Sequence, residues 1–150
     1  HDMYYIGGVI LAFAHMHQRK IIYRDLKPEN VILNEAGQLK MTDFGLSKMV
    51  VGKTYTTCGT PDYFAPEMVA SKGYTSAVDW WMVGIMAYEL MVGNTPFSGA
   101  DPMDIFRNVK KGIDKVTNYG KCSEPLKDFI KGMCSSTPSA RPPMRKGGVK

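Results

Sequence analysis

A long run of apolar side chains in the middle of the chain most limits what this sequence can fold into. At helical spacing these residues leave almost no polar face, so the helix they predict must be buried on every side, at the centre of the fold. Ser76 and Asp79 have the spacing of a capping box, which predicts that the helix opens at Ser76. Gly93 suits a C-cap and Pro96 prevents continuation, so the helix should end near Val92. The residues that carry the pattern are Trp80, Trp81, Met82, Val83, Ile85, Met86, Ala87 and Leu90.

Other periodic stretches predict a mainly helical fold with one short hairpin. Apolar residues recur on one face over residues 4–18, 103–109 and 126–133, which predicts three amphipathic helices. Residues 31–42 predict a β-hairpin: an apolar run at 31–33 is followed by turn residues at 34–37, and then Leu39 and Met41 alternate with polar residues. The sequence therefore predicts an α+β fold in which helices dominate.

Composition is typical of a soluble globular domain and argues against several other classes. The 150 residues are 44% hydrophobic, and the longest strongly apolar run, residues 80–88, is far shorter than the ~18 residues of a membrane span. Three cysteines without Cys-x-x-Cys spacing argue against a disulfide framework or a zinc site, so we expect a reducing, cytoplasmic location. The net charge of +5 divides into +6 in residues 101–150 and −1 in residues 1–100. The lysines of the basic part are spaced along predicted helices, and we therefore expect no nucleic-acid surface.

The segment 23–30 joins side chains suited to phosphoryl transfer between two apolar flanks. Asp25 can accept a proton from an attacking hydroxyl group, and Lys27 can neutralise a phosphoryl oxygen. Asn30 offers a carbonyl oxygen to a hard cation such as Mg²⁺. Asp43 offers a second ligand of this kind, and the predicted hairpin should return it toward Asp25 and Asn30. We therefore interpret the segment as a catalytic loop.

The motifs in and after this loop resemble those of eukaryotic protein kinases. Residues 23–30, Tyr-Arg-Asp-Leu-Lys-Pro-Glu-Asn, resemble the catalytic loop, and residues 43–45, Asp-Phe-Gly, resemble the metal-binding triplet. Residues 65–67, Ala-Pro-Glu, follow in the family's order. Each tripeptide alone is weak evidence, but the three in this order and at these distances are highly specific. The resemblance implies a protein kinase-like α+β fold, with this chain as the mainly α-helical C-terminal lobe and its short β-hairpin.

The resemblance also implies a role for each residue of the loop. Asp25 would be the catalytic base, and Lys27 would contact the transferring phosphoryl group. Asn30 and Asp43 would hold Mg²⁺, so the implied cofactors are ATP and Mg²⁺. Ile32 would pack beneath the adenine ring, although an apolar strand residue is equally suited to a plain core position.

Residues 53–63 resemble the activation segment of the cyclic-nucleotide-dependent kinases within the AGC group. By position, Thr56 matches the activating phosphothreonine, and Arg24 and Lys48 match the cations that would hold its phosphate. Without the surrounding motif, Thr56 would be interpreted as a turn hydroxyl. Thr60 falls in the part of the segment that binds a peptide substrate.

Five further charged residues acquire roles by the same resemblance. Glu29 and Glu89 match acidic positions that select Arg upstream of the phosphorylated residue. Asp79 would hold the backbone of the catalytic-loop turn, although helix capping would explain it about as well. Glu67 would form a buried ion pair with Arg141, which is costly to break from one side.

The resemblance covers essentially the whole chain but only one lobe of a kinase. Residues 1–150 contain neither a Gly-x-Gly-x-x-Gly loop nor a Val-Ala-x-Lys strand, so we expect a partial kinase domain that is inactive by itself. In a longer protein it implies phosphorylation of Ser or Thr in substrates with Arg upstream, and a cyclic-nucleotide-binding regulatory domain or subunit. Residues 94–116 are most similar to the cGMP-dependent branch, but the choice between cAMP and cGMP stays open.

Two other functions compete with this interpretation. A pseudokinase, or a kinase-shaped binding module, would have no physical need for Asp25, Lys27, Asn30 and Asp43 together. A phosphotransferase acting on small molecules would lack the Gly-Thr-Pro-x-Tyr segment of residues 59–63. The sequence therefore favours a serine/threonine protein kinase.

Overall fold

The computed structural model describes residues 2–146, and helices dominate this part of the chain. The described residues form five α-helices, four of them around a central one, and two small antiparallel sheets that pair β1 with β4 and β2 with β3. Short 3-10 turns, such as Pro28–Asn30, join many of these elements. The bounds are α1 Asp2–Gln18, β1 Ile21–Ile22, β2 Val31–Leu33, β3 Leu39–Met41, β4 Lys48–Met49, α2 Pro66–Val69, α3 Ala77–Val92, α4 Pro102–Lys111 and α5 Glu124–Met133.

The central helix α3 is buried along three quarters of its length. Every residue from Ala77 to Tyr88 is buried, as its apolar pattern predicted. The helix packs mainly against α5 and α1. It ends at Gly93, whose φ of 96° is left-handed and whose N–H donates to the carbonyl oxygen of Glu89 over 2.8 Å. The predicted position and C-terminal end of this helix are therefore confirmed.

The predicted capping box at the start of α3 is wrong. The Ser76 side chain makes no capping hydrogen bond, and the hydroxyl of Thr75 instead accepts from the N–H of Ala77 over 3.3 Å. Asp79 does not reach back to Ser76, because its carboxylate is fully buried and bonds residues far away in the sequence. The two residues have the spacing of a capping box, but the Asp79 carboxylate forms tertiary hydrogen bonds instead.

The other predicted elements lie close to their expected positions. The helices α1, α4 and α5 contain the three periodic stretches, and the hairpin pairs Val31 with Met41 and Leu33 with Leu39. The turn is held by the side-chain oxygen of Asn34, which accepts from two backbone N–H groups. Among the described helices, none has the length and apolar character that crossing a bilayer would require.

Close packing of α3 on α5 gives a stability prediction at Gly84. A Cβ atom added there would lie 2.6 Å from Cys134 Sγ and 2.9 Å from Met133 Cβ. Gly84→Ala should therefore lower the free energy of unfolding by about 1–3 kcal/mol, since overpacking forces the helices apart. Gly7→Ala is the matched control, because nothing lies within 4 Å of its added Cβ, and it should stabilise helix α1 slightly. Urea unfolding of both variants checks this, and equal destabilisation would contradict the packing argument.

Candidate active site

The catalytic-loop turn is held by a carboxylate from the centre of the fold. Asp79 of α3 accepts hydrogen bonds from the backbone N–H of Tyr23 over 2.9 Å and of Arg24 over 2.8 Å. Arg24 has a φ of 71°, a left-handed conformation that costs a non-glycine residue about 1–2 kcal/mol. His17 Nε2 lies 2.7 Å from the same carboxylate. The turn is thus kept in a strained conformation by a buried acid, as is common at functional sites.

Asp25 and Asn30 lie together on this loop. Both are buried, and the Asn30 side-chain amide donates to the Asp25 backbone oxygen over 2.8 Å and to its carboxylate over 3.4 Å. Lys27 Nζ lies 3.9 Å from the carboxylate of Asp25 and donates to the Thr60 hydroxyl over 3.4 Å. An acid, a cation and a hydroxyl group from the later segment therefore line one site.

The hairpin brings Asp43 back to this loop. The N–H of Thr42 donates to the backbone oxygen of Asn30 over 2.8 Å, so the residue that precedes Asp43 is bonded to the loop. Burial raises the pKa of Tyr23 to about 12, and the nearby charges of Asp25, Asp43 and Asp79 contribute to the rise. The three carboxylates therefore favour the protonated form of the Tyr23 hydroxyl group.

Asp43 itself is exposed and has left-handed backbone angles, with a φ of 56°. Asn30 donates its amide N–H groups to Asp25, and this leaves its carbonyl oxygen available as a ligand. Within residues 2–146 there is no cluster of three His, Cys, Asp or Glu side chains that could hold a metal alone. One carboxylate and one amide oxygen fit Mg²⁺, which binds through few protein ligands and takes the rest from phosphates and water.

The surface above the hairpin is apolar and open. Ile32 is 48% exposed and Phe44 is 52% exposed, while the Phe44 ring packs edge-on against Tyr23 with centroids 5.3 Å apart. Leu33 is also exposed. Ile32 is thus not a core residue in this chain, and it lies on a face to which a planar apolar group could bind.

The segment that follows Asp43 is bonded to Arg24. The guanidinium of Arg24 donates to the backbone oxygen of Leu46 over 2.7 Å and to the hydroxyl of Tyr74 over 3.2 Å. Tyr74 in turn donates to the backbone oxygen of Thr56. Thr56 is exposed, and Lys48 Nζ donates to the hydroxyl of Thr54 over 3.1 Å. Lys48 therefore bonds the hydroxyl group of Thr54, and among the described residues no hydrogen bond joins it to Thr56.

A cavity of about 350 Å³ lies beside the loop and contains three carboxylates. Glu29, Asp62 and Glu89 line it together with Lys27 and Thr60. Burial raises the pKa of Glu89, and the charges of Glu29 and Asp62 raise it further. One carboxylate oxygen of Glu89 is buried without a hydrogen-bond partner among the described residues. The cavity is thus an acidic pocket, in which three carboxylates outnumber the single cation, Lys27.

Glu67 and Arg141 form a buried two-point ion pair. The guanidinium of Arg141 donates to the two carboxylate oxygens of Glu67 over 2.6 and 2.9 Å. It also donates to the backbone oxygens of Ala77 and Ser135, and its carbon lies 5.3 Å from the ring centre of Trp81. The pair therefore ties α2 to the start of α3 and to the turn after α5.

Three residues at this site were not assigned to it from the sequence. They are His17, Asp62 and Tyr74. Each acts across a long sequence separation, so only the fold brings it to the loop. A buried tyrosine and a partly buried histidine next to charged groups have no local pattern that would have revealed them.

A model of the protein kinase domain matches residues 3–147. The chain belongs to the protein kinase family. This confirms the family expected from the motifs, and with it the kinase-like fold of a mainly helical lobe with a short hairpin. The match extends over nearly every residue of the chain, so the loop, the triplet and the segment between them lie within the kinase domain.

The curated relatives include several cyclic-nucleotide-dependent kinases. The chain is 45% identical to "cGMP-dependent protein kinase, isozyme 1" of Drosophila melanogaster, over 97% of this chain and 19% of that protein. It is 52% identical to a "cAMP-dependent protein kinase catalytic subunit" of Arthrobotrys oligospora, over 77% of this chain and 22% of that protein. It is 44% identical to "cGMP-dependent protein kinase 2" of Homo sapiens, over 96% of this chain and 19% of that protein. The chain thus spans about a fifth of the length of these relatives.

Proposed function

We propose that this kinase domain transfers a phosphoryl group from ATP to Ser or Thr of protein substrates. The observation that carries the proposal is the buried Asp25, whose carboxylate lies near Lys27 and is bonded by the amide of Asn30. The chain would contribute the C-terminal lobe of a longer enzyme. The exposed apolar face at Ile32 and Phe44 supports this, because a second lobe would cover it.

The roles that we propose for the loop residues are compatible with their positions. Asp25 orients the substrate hydroxyl group and takes its proton as the new oxygen–phosphorus bond forms and the bond to the ADP leaving group breaks. Lys27 neutralises charge on the transferring phosphoryl group, and its contact with Thr60 links that charge to the segment that binds the peptide. Asn30 and Asp43 would hold Mg²⁺, which, when bound, neutralises the phosphate oxygens.

Phosphorylation of Thr56 is the proposed activating event. Arg24 is 6% exposed, and among residues 2–146 its guanidinium has no carboxylate within salt-bridge distance. A buried charge without a counter-ion is unfavourable, so a phosphate of charge about −2 on the nearby Thr56 would be stabilised. Lys48 would have to leave Thr54 to join it.

The acidic pocket is proposed to bind Arg residues of the substrate. Glu29 and Glu89 can each pair with a guanidinium group, and Asp62 adds a third charge to the same cavity.

The proposal also includes regulation by a cyclic-nucleotide-binding domain or subunit, and a cytoplasmic location. The similarity to cGMP- and cAMP-dependent protein kinases supports the first, and three unpaired cysteines, Cys58, Cys122 and Cys134, support the second.

Peptide phosphorylation by the longer protein tests the proposed function. A peptide with Arg two and three positions before its Ser should be preferred over the same peptide with Ala there. Glu89→Gln should lower kcat/KM for the Arg peptide roughly tenfold and leave the Ala peptide unchanged, since a charge-assisted hydrogen bond is lost. Glu124→Gln, on the exposed surface, is the control.

The preference for Arg should also depend on pH. Because burial and neighbouring acids raise the pKa of Glu89 above its ordinary value, acidification should protonate it before an ordinary glutamate and weaken the preference. Preference for acidic or proline-directed peptides would contradict the role of the pocket. The absence of any transfer by the wild-type protein would indicate a binding module instead.

A further inference from the structure

Tyr74 is bonded to the activation segment at three points. Its backbone N–H and oxygen form a two-bond antiparallel bridge with Thr54, each bond 2.9 Å long. Its hydroxyl group donates to the backbone oxygen of Thr56, two residues further along the segment. The residue is 3% exposed. Tyr74 therefore fixes the path of the segment on both sides of residue 55.

The same hydroxyl group is an acceptor for Arg24, whose guanidinium donates to it over 3.2 Å. The Arg24 guanidinium and the backbone oxygen of Thr56 thus both bond the hydroxyl oxygen of Tyr74. With an ordinary O–H···O distance, they lie within about 6 Å of each other. Burial raises the pKa of Tyr74, so the phenol keeps the proton that it donates to Thr56. The hydroxyl group is donor on one side and acceptor on the other.

We propose that Tyr74 is a positioning residue: its hydroxyl group orients the Arg24 guanidinium toward a phosphate on Thr56. The proposal rests on the proposed activation at Thr56. Arg24 directly precedes Asp25, and its backbone N–H is fixed by Asp79. At the end of the side chain, Nε donates to the backbone oxygen of Leu46 and Nη1 donates to the Tyr74 hydroxyl group, so Tyr74 sets the direction of the Nη1 side of the guanidinium. Binding of the phosphate by Arg24 then supports the loop that carries the base.

A purely structural role for Tyr74 would need only its ring and its backbone bridge to Thr54. Tyr74→Phe keeps both and removes only the hydroxyl group. Tyr119→Phe is the matched control, because the Tyr119 hydroxyl group is also buried but has no hydrogen-bond partner within the described residues. A structural role predicts similar small effects from the two variants.

The test uses the longer protein with the phosphate on Thr56 verified by mass spectrometry. A ³¹P NMR titration follows the phosphate, whose second pKa should lie below the ordinary value of about 6 because Arg24 favours the dianion. Tyr74→Phe should raise this pKa by about half a unit and lower kcat/KM roughly tenfold. Tyr119→Phe should change neither quantity.

The outcomes separate this proposal from the one on which it depends. If the active wild-type protein carries no phosphate on Thr56, both the activation at Thr56 and the role of Tyr74 are overturned. If Thr56 is phosphorylated and the phosphate pKa is the same in Tyr74→Phe and the wild type, only the role of Tyr74 is overturned. A phosphate pKa that is raised in Tyr74→Phe and unchanged in Tyr119→Phe supports the role of Tyr74.

Discussion

Asp25→Asn should lower the rate of peptide phosphorylation by the longer protein at least ~10²-fold. The substitution keeps the shape of the side chain and removes the proton acceptor and its charge, and general-base contributions are of this size. Asp43→Asn should have an effect of similar size by weakening the proposed Mg²⁺ site. Steady-state phosphorylation of an Arg-containing peptide measures both. The proposed roles require both residues, although each lies in a different element and only the hairpin joins them.

The control for these variants is Asp128→Asn, a change of the same kind at an exposed position on α5. It should leave turnover unchanged. Melting temperatures should show that all three variants are folded, because Asp25 is buried and its loss of charge alters contacts with Asn30. Near-normal turnover in both Asp25→Asn and Asp43→Asn would refute the assignment of the site.

The parts of the fold that the sequence could predict are those with a local cause. The helix α3 was predictable because a helix that is apolar on every face is stable only when it is buried. The hairpin was predictable because its apolar strand residues and its turn residues are adjacent in the sequence. The loop residues Asp25, Lys27 and Asn30 could be proposed for the same reason, since they lie within one short segment. Their geometry, however, depends on Asp79, some fifty residues away.

The parts that the sequence could not predict depend on competition between local and tertiary contacts for the same side chain. The spacing of Ser76 and Asp79 suits a capping box, but a buried carboxylate gains more from two backbone N–H groups and His17 than from its own helix. The pairing of β1 with β4 involves two residues in each strand, too few to show a period. Lys48 of β4 donates to Thr54, a partner that its sequence neighbours do not indicate. No local pattern distinguishes these alternatives.

Removing one partner of the Glu67–Arg141 pair should destabilise the domain by about 3–5 kcal/mol, because it leaves a buried charge without its counter-ion. Glu67→Gln is the variant to measure, by urea unfolding, since it keeps the volume and one hydrogen-bonding oxygen. Arg141 is fully buried, so no water can replace the lost carboxylate charge. The exposed pair of Glu124 and Lys127 is the control, and Glu124→Gln should leave the free energy of unfolding nearly unchanged.

The double variant Glu67→Gln with Arg141→Met shows how much of the loss is due to the unpaired charge. Arg141→Met alone leaves Glu67 unpaired, whereas the double variant has no buried charge at this point and should be more stable than the sum of the two single losses implies. It should still be less stable than the wild type, because the backbone oxygens of Ala77 and Ser135 lose their donor. Additive losses, or equal effects of Glu67→Gln and Glu124→Gln, would show that the pair does not hold α2 against α3.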